Sequence, residues 1–180
     1  INLMEVVYRI QSHDFVPILA HPERYPYLYE EPKLYEELVE KGVLLQVNFG
    51  SFIGQYGRHS KLVAEKLLKN NLIHLLATDS HRPNAIYPDV PKIVEYLTKL
   101  VGEEKVDQLT TMNPEKVLNN EDIEIEEFEP IKWSFFEKQK IYKKWGSQHN
   151  SSLTTLFFYC IINTVVIVRK SFKYFAMEVL

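Results

Sequence analysis

Two short apolar runs, each followed at once by polar side chains, constrain the fold of this chain more than any other feature. Residues 15–20 precede His21, and residues 72–77 precede Asp79 and His81. Runs of this length and composition predict buried strands. Both polar segments would then lie where a strand ends and a loop begins, which is the edge of an α/β sheet where ligands and metals bind.

The chemistry of these polar side chains favours a metal site. Imidazole and carboxylate together suit a divalent transition metal such as Mn, Fe or Zn. His21, Asp79 and His81 are therefore predicted to be metal ligands. The alternative is that they are polar loop groups capping the helices that follow. A single His after a strand favours that alternative, whereas two such segments, one of them Asp-x-His, favour a metal.

Amphipathic helices alternate with the predicted strands. Gly42 provides a stop signal for one of the helices, and Asn113 with Pro114 predicts the N-cap and first turn of the last one. The predicted helices cover residues 2–12, 31–41, 59–70, 90–101 and 103–109, the strands 15–20, 43–47 and 72–77, and a glycine-containing loop 50–57. This alternation predicts the α/β class with a parallel sheet. His74, inside the third predicted strand, is expected to be structural.

Charge divides the chain near Pro130. Residues 1–130 carry 13 basic and 22 acidic side chains, a net charge of -9, whereas residues 131–180 carry 8 and 2, a net charge of +6. We therefore predict one domain over 1–130 and a separate basic and apolar tail over 131–180. The tail is expected to lie outside the body, so that its deletion would leave the melting temperature nearly unchanged.

The tail has two parts. Residues 131–146 mix aromatic and basic side chains, which suits a membrane surface or a nucleic acid, although a helix packed on the body would look the same. Residues 153–168 form a largely apolar run, shorter than the roughly 20 residues of a spanning helix. Membrane insertion, a buried element and an appended foreign segment all stay open for this run. The single cysteine, Cys160, excludes an internal disulfide and fits a reducing, cytoplasmic compartment.

Several segments together resemble the PHP-type protein-tyrosine phosphatases of bacterial capsule and exopolysaccharide operons. They are residues 17–25 (PILAHPERY), 46–48 (QVN) with Ser51 and 54–57, 77–81 (ATDSH) and 112–114 (MNP). The resemblance covers residues 1 to about 125, roughly two-thirds of the chain, and His-Pro-Glu-Arg-Tyr is its most specific part. The family opens with a His-x-His segment that this sequence lacks. The resemblance thus implies the C-terminal half of a distorted (β/α)7 barrel.

The resemblance also implies a chemistry. The function would be metal-dependent hydrolysis of phosphotyrosine on proteins, such as a capsule-regulating tyrosine kinase, with two or three divalent ions, usually Mn. His21, Asp79 and His81 would be ligands, and Arg24 would clamp the phosphate in the catalytic site. Arg82 is the nearest candidate for the family's second substrate-binding arginine. A structural alternative for Arg24 is a salt bridge to a neighbouring glutamate.

Two other functions remain open at this stage. Another PHP phosphoesterase, such as a histidinol-phosphate phosphatase, is disfavoured by Arg24 and Tyr25 following His21 and Pro22. A non-catalytic remnant or interaction module is favoured by the missing first ligands. The chain alone is expected to hydrolyse aryl phosphates poorly. We expect no nucleic-acid partner, while membrane contact through residues 153–168 and homo-oligomerisation stay open.

Overall fold

The structure is a computed structural model that describes residues 3–82, 86–134 and 137, together with a strand at 165–169. The helices are α1 (Leu3–Gln11), α2 (Pro26–Glu30), α3 (Lys33–Glu40), α4 (Phe49–Phe52), α5 (Arg58–Lys69), α6 (Val90–Val101), α7 (Glu103–Asp107) and α8 (Asn113–Leu118). The strands are β1 (Phe15–Ala20), β2 (Leu44–Asn48), β3 (Leu75–Ala77) and β4 (Val165–Arg169).

The four strands form one sheet in the order β3-β2-β1-β4. β1, β2 and β3 are parallel, with Ile18 opposite Leu44 and Gln46 opposite Leu75. The prediction of a mixed α/β fold with a parallel sheet is confirmed. Because the three parallel strands point the same way, the residues that follow β1, β2 and β3 meet at one edge of the sheet.

The core lies between this sheet and the helices that cover it. Leu45 and Val47 of β2 are fully buried, and so are Leu38 of α3, Leu67 of α5 and Leu97 of α6. Each buried side chain of this size stabilises the fold by about 1.5–3 kcal/mol relative to exposure. Helices from several parts of the chain therefore share one apolar core with the face of β2 that carries Leu45 and Val47.

Gly42 ends α3 as the sequence predicts. It has a left-handed φ of 78°, a conformation that costs glycine little because it has no Cβ. Its N–H donates to the carbonyl of Val39 (2.8 Å), and the N–H of Val43 donates to that of Leu38 (3.0 Å). These bonds satisfy the last carbonyls of the helix and turn the chain directly into β2.

Several predicted boundaries differ from the structure. The region of residues 26–41 contains two helices, α2 and α3, where the sequence predicts one helix over 31–41. The predicted loop 50–57 begins inside a short helix, α4, and β3 is only three residues long. A Cβ at Gly50 of α4 would displace only the flexible end of the Gln55 side chain. The apolar pattern predicts the positions of the strands well. It does not separate β3 from the buried residues 72–74 that lead into it, because both are largely apolar in sequence.

The predicted N-cap role of Asn113 is wrong. A π-helical turn over Gln108–Met112 runs directly into α8, so that Met112 already has helical backbone angles. The Asn113 side chain is buried and its Nδ2 donates to the carbonyl oxygen of His74 at 2.9 Å. Asn113 therefore ties α8 to the entrance of β3, and Pro114 lies in the first turn as predicted.

The described residues beyond Pro130 contact the body. The N–H of Ile131 donates to Glu36 Oε1 at 2.8 Å, and Trp133 packs against the core. β4 pairs antiparallel with β1, from Phe15 opposite Arg169 to Leu19 opposite Val165. This pairing differs from the expectation that the tail takes no part in the sheet. Its physical reason is the edge of β1, whose unpaired N–H and carbonyl groups attract a further strand.

The other features predicted for the tail lie largely outside the described residues. The apolar run 153–168 is described only in its last four residues, which belong to β4. Among the residues that the structure describes, no helix combines the length and the apolar character needed to cross a membrane. The domain boundary at Pro130 stays a prediction.

Candidate active site

His21 occupies the first position after β1. Its N–H donates to the carbonyl of Gln46 at 2.8 Å, which extends the β1–β2 pairing by one residue. Its backbone is left-handed, with a φ of 39°, an arrangement that is strained for a residue with a Cβ. Nδ1 is buried and has no hydrogen-bond partner among the described residues. The histidine thus keeps one buried ring nitrogen without a hydrogen-bond partner near Arg24 and Asp79.

The pKa of His21 is lowered from its usual value of 6.5. Burial is the largest cause, and the nearby Arg24 cation adds to it, whereas the Asp79 carboxylate opposes it. A lowered pKa keeps the imidazole neutral at physiological pH. Neutral imidazole is the form that can bind a metal ion.

Asp79 is the centre of the polar cluster. It follows β3 in a left-handed conformation with a φ of 48°. Its Oδ2 accepts a hydrogen bond from Asn48 Nδ2 at 2.8 Å and lies 3.9 Å from Nη1 of Arg24. Its Oδ1 lies 3.1 Å from Nε2 of His81. The carboxylate therefore connects the segments that follow all three parallel strands.

Arg24 lies at the surface of this cluster. Its side chain is 38% exposed, and its Cζ lies 4.4 Å from the centroid of the Tyr56 ring. Such a cation–π contact orients the guanidinium plane while leaving its N–H groups accessible. Where the sequence suggested a salt bridge to a neighbouring glutamate, the structure gives Arg24 an ion pair with Asp79. Arg82 is exposed, and its carbonyl accepts a bond from Ser80 Oγ at 2.9 Å.

A buried glutamate lies beneath the site. Glu23 is completely inaccessible to solvent. Its Oε1 accepts hydrogen bonds from Ser51 Oγ (2.5 Å) and from the N–H of Asn48 (3.3 Å). Oε2 is buried without a partner among the described residues. Burial raises the pKa of Glu23 to about 7, although the bonds from Ser51 and Asn48 act in the opposite direction.

Sequence reasoning missed the roles of Glu23 and Asn48. Both residues lie inside segments that resemble the phosphatase family, and this was their only signal. An acidic residue next to Arg24 is most simply interpreted as its exposed partner. The burial of Glu23 is decided by residues that lie far away in sequence, Asn48 and Ser51.

The structure brings His21, Arg24, Asp79 and His81 to the same edge of the sheet. His21 is close enough to the other three for their charges to affect its pKa. Within the described residues, no group of three or more His, Cys, Asp or Glu side chains is arranged to hold a metal ion. The ligand set stays a prediction. The donors fit a metal in their chemistry, because His21 Nδ1 is buried without a partner and Asp79 is within reach of His81.

Comparisons with known proteins give a consistent result. The chain is 33% identical over 128 residues to the tyrosine-protein phosphatase YwqE of Bacillus subtilis strain 168, covering 71% of this chain and 50% of that protein. It is 29% identical over 107 residues to the tyrosine-protein phosphatase CpsB of Streptococcus pneumoniae, covering 57% and 44%. The chain thus spans about half the length of these relatives.

A solved structure agrees with these sequence matches. It comes from work on YwqE of Bacillus subtilis and CpsB of Streptococcus pneumoniae, which are described as metal-dependent tyrosine phosphatases. The TM-score is 0.65 at 33% sequence identity, with 72% of this chain and 52% of the other covered. The family model for capsular polysaccharide synthesis, CpsB/CapC, matches residues 2–119. Because this match covers most of the chain, including the three parallel strands and the polar residues that follow them, the chain belongs to the CpsB/CapC family of capsular polysaccharide synthesis.

Proposed function

We propose that this chain supplies one half of the active site of a metal-dependent protein-tyrosine phosphatase. The observation that carries the proposal is the meeting of His21, Arg24 and Asp79 at the ends of parallel strands. It is supported by the family membership of the chain and by the relatives that are named tyrosine-protein phosphatases. In this proposal the sheet is part of a (β/α)7 barrel.

His21, Asp79 and His81 would hold Mn²⁺ in this site. A bound divalent metal lowers the pKa of its water and neutralises charge on the phosphate during hydrolysis. The chain's own residues prepare this binding: burial keeps His21 neutral, and Asp79 already lies 3.1 Å from His81. The intact site would hold two or three ions, and further ligands would come from outside this chain.

Arg24 would bind the phosphate group. Its guanidinium can donate two parallel hydrogen bonds to two phosphate oxygens, which a lysine cannot do. The Tyr56 ring, 4.4 Å from Cζ, would help to hold the guanidinium in place through a cation–π contact. A dianionic phosphate would replace Asp79 as the anion nearest to Arg24. Arg82, exposed beyond His81, would supply a second contact.

The substrate in this proposal is a phosphotyrosine protein, namely a tyrosine kinase that regulates capsule synthesis. The site would be cytoplasmic, in the reducing compartment that the single cysteine, Cys160, indicates. The open position of Arg24, with its side chain 38% exposed, suits a phosphate presented on a flexible protein segment. Membrane contact through residues 153–168 and self-association remain predictions.

The test uses the full chain, with and without the part of Bacillus subtilis YwqE that the chain does not match. We expect little Mn²⁺-dependent hydrolysis of a phosphotyrosine peptide by the chain alone, and hydrolysis once the complementary part is added. Arg24→Lys should lower the restored rate about a hundredfold, whereas Arg9→Lys on the exposed surface of α1 should not change it.

Other results would change the proposal. Hydrolysis of histidinol phosphate in preference to the peptide would assign another PHP phosphoesterase. Restored folding and metal binding without any hydrolysis would favour a non-catalytic module. Rapid hydrolysis of the peptide by the chain alone would show that it does not need a second half.

A further inference from the structure

Asn48 lies at the end of β2, between the two strands that carry the predicted ligands. Its side chain is completely buried, and it is one of few buried polar residues in the described part of the chain. β2 pairs with β1 on one side and with β3 on the other. Asn48 is therefore placed to act on the residues that follow both neighbours.

Both ends of the Asn48 amide are used. Nδ2 donates to Asp79 Oδ2 at 2.8 Å, and Oδ1 accepts a bond from Gln46 Nε2 at 3.3 Å. A carboxylate can only accept hydrogen bonds, so the Asp79 contact fixes which end of the amide is the donor. The orientation of the Asn48 side chain is thus determined by the site.

The backbone of Asn48 is held from the other side. Its N–H donates to Glu23 Oε1, which also accepts a bond from Ser51. Glu23 follows His21 by two residues. Asn48 consequently links the segment after β1, through Glu23, to the segment after β3, through Asp79.

We propose that Asn48 is a positioning residue that sets the direction of the Asp79 carboxylate. By engaging Oδ2, it leaves Oδ1 facing His81 at 3.1 Å. Asp79 has a left-handed backbone and a partly exposed side chain, so that without this bond only the 3.9 Å contact with Arg24 and the 3.1 Å contact with the exposed His81 would restrain its carboxylate. The role in metal binding rests on the proposed function, whereas the role in orienting Asp79 does not.

The first experiment measures the orientation without any metal. Scalar couplings between the Asp79 carboxyl carbon and the backbone give its χ1 rotamer in the metal-free full chain by NMR. The wild type should show one rotamer and Asn48→Ala an average of several. Asn113→Ala is the matched control, because Asn113 is also buried and also donates through Nδ2, but to the carbonyl of His74. A single unchanged rotamer in Asn48→Ala would overturn the proposal.

A second variant guards against loss of folding. Asn48→Leu has nearly the same shape, leaves no void and cannot donate to Asp79. If the alanine variant unfolds, the NMR measurement is made on Asn48→Leu, and the same averaging of the Asp79 χ1 rotamer is expected.

The second experiment measures binding of Mn²⁺ alone, from the free-ion signal in electron paramagnetic resonance. The dissociation constant should rise about tenfold or more in Asn48→Ala, as is typical when a partner of a metal ligand is removed. It should not change in Asn113→Ala. Equal Mn²⁺ affinity in wild type and Asn48→Ala would overturn the role of Asn48 in metal binding. Absence of Mn²⁺ binding in the wild type would count against the proposed function, and the rotamer measurement would still decide the positioning role.

Discussion

Each end of the parallel sheet contains a buried histidine, but the two histidines differ in their hydrogen bonding. At the amino end, His74 is paired on both sides: its Nδ1 accepts from the N–H of Leu45, and its carbonyl accepts from Asn113. At the carboxyl end, His21 Nδ1 and Glu23 Oε2 are buried without partners among the described residues. Burial lowers the pKa of both histidines. Burial alone therefore does not distinguish the two histidines, whereas the pairing of Nδ1 does, and it is His21 that we propose as a ligand.

Left-handed backbones occur at both ends, since Asp14 directly before β1 has a φ of 59°. His21 and Asp79, at the carboxyl end, have left-handed backbones with φ values of 39° and 48°. Strained residues of this kind cost of order 1 kcal/mol or more each, and they persist where surrounding structure holds them. What separates the two ends among the described residues is the pairing of their buried polar atoms: His74 Nδ1 has a partner, whereas His21 Nδ1 and Glu23 Oε2 have none and could be used by a ligand.

The largest effect should come from protonating His74. Burial, with a smaller contribution from the Lys105 cation, lowers its pKa from 6.5 to about 4 in the folded state. Above pH 6.5 the ring is neutral in both states and stability does not depend on it. As the pH falls from 6.5 to 4, only the unfolded chain takes up the proton, so the free energy of unfolding should fall by roughly 3 kcal/mol in total.

Urea unfolding between pH 4 and 7.5 measures this dependence. His74→Asn keeps an acceptor but cannot titrate, so its free energy of unfolding should fall less steeply with acidification than that of the wild type. His13→Asn, at an exposed position after α1, is the control and should keep the wild-type slope. The same slope in wild type and His74→Asn would contradict the pairing at the amino end.

An intermediate effect is expected at the carboxyl end. Ser51→Ala removes the 2.5 Å hydrogen bond to buried Glu23 Oε1 and should lower the free energy of unfolding by about 1–3 kcal/mol. Ser60→Ala is a matched control, because Ser60 is also buried but its Oγ makes a longer bond, 3.3 Å, to the carbonyl of Tyr56. Urea unfolding at pH 7 compares the two variants. Equal losses would mean that the Glu23 carboxylate is not held as the structure shows.

The sequence predicted the part of the fold that depends on local patterns. Apolar runs gave β1 and β2 closely, and Gly42 marked the end of α3. The same patterns placed His21 and Asp79 after strands, because the end of a strand is a local feature. The proximity of Asp79 to Arg24 follows from the parallel pairing of the strands, which the alternation of elements predicts.

The contacts between distant segments could not be predicted in this way. Asn113 looks like an N-cap in sequence, since its partner, the carbonyl of His74, lies 39 residues away. The charge reversal at Pro130 marks a change in composition, yet Ile131 is buried beyond it. Composition reports how solvated a segment is on average, whereas single side chains such as Ile131 are placed by packing against residues elsewhere in the chain.

The smallest effect should come from the exposed ion pairs near the amino end. Glu126 accepts hydrogen bonds from Gln108, Lys105 and Asn71, and these lower its pKa to about 2, with Gln108 the largest cause. A lowered carboxyl pKa stabilises the fold above pH 4.5, and this contribution is lost as the pH falls towards 2. Because the group is largely exposed, water and salt screen these interactions, and Glu126→Gln should cost less than about 1 kcal/mol at pH 7.

Urea unfolding in low and high salt measures this cost, with exposed Glu124→Gln as the control. The loss in Glu126→Gln should shrink at high salt. A loss as large as that of Ser51→Ala, independent of salt, would show that the surface contacts near β3 matter as much as the buried ones beneath the site.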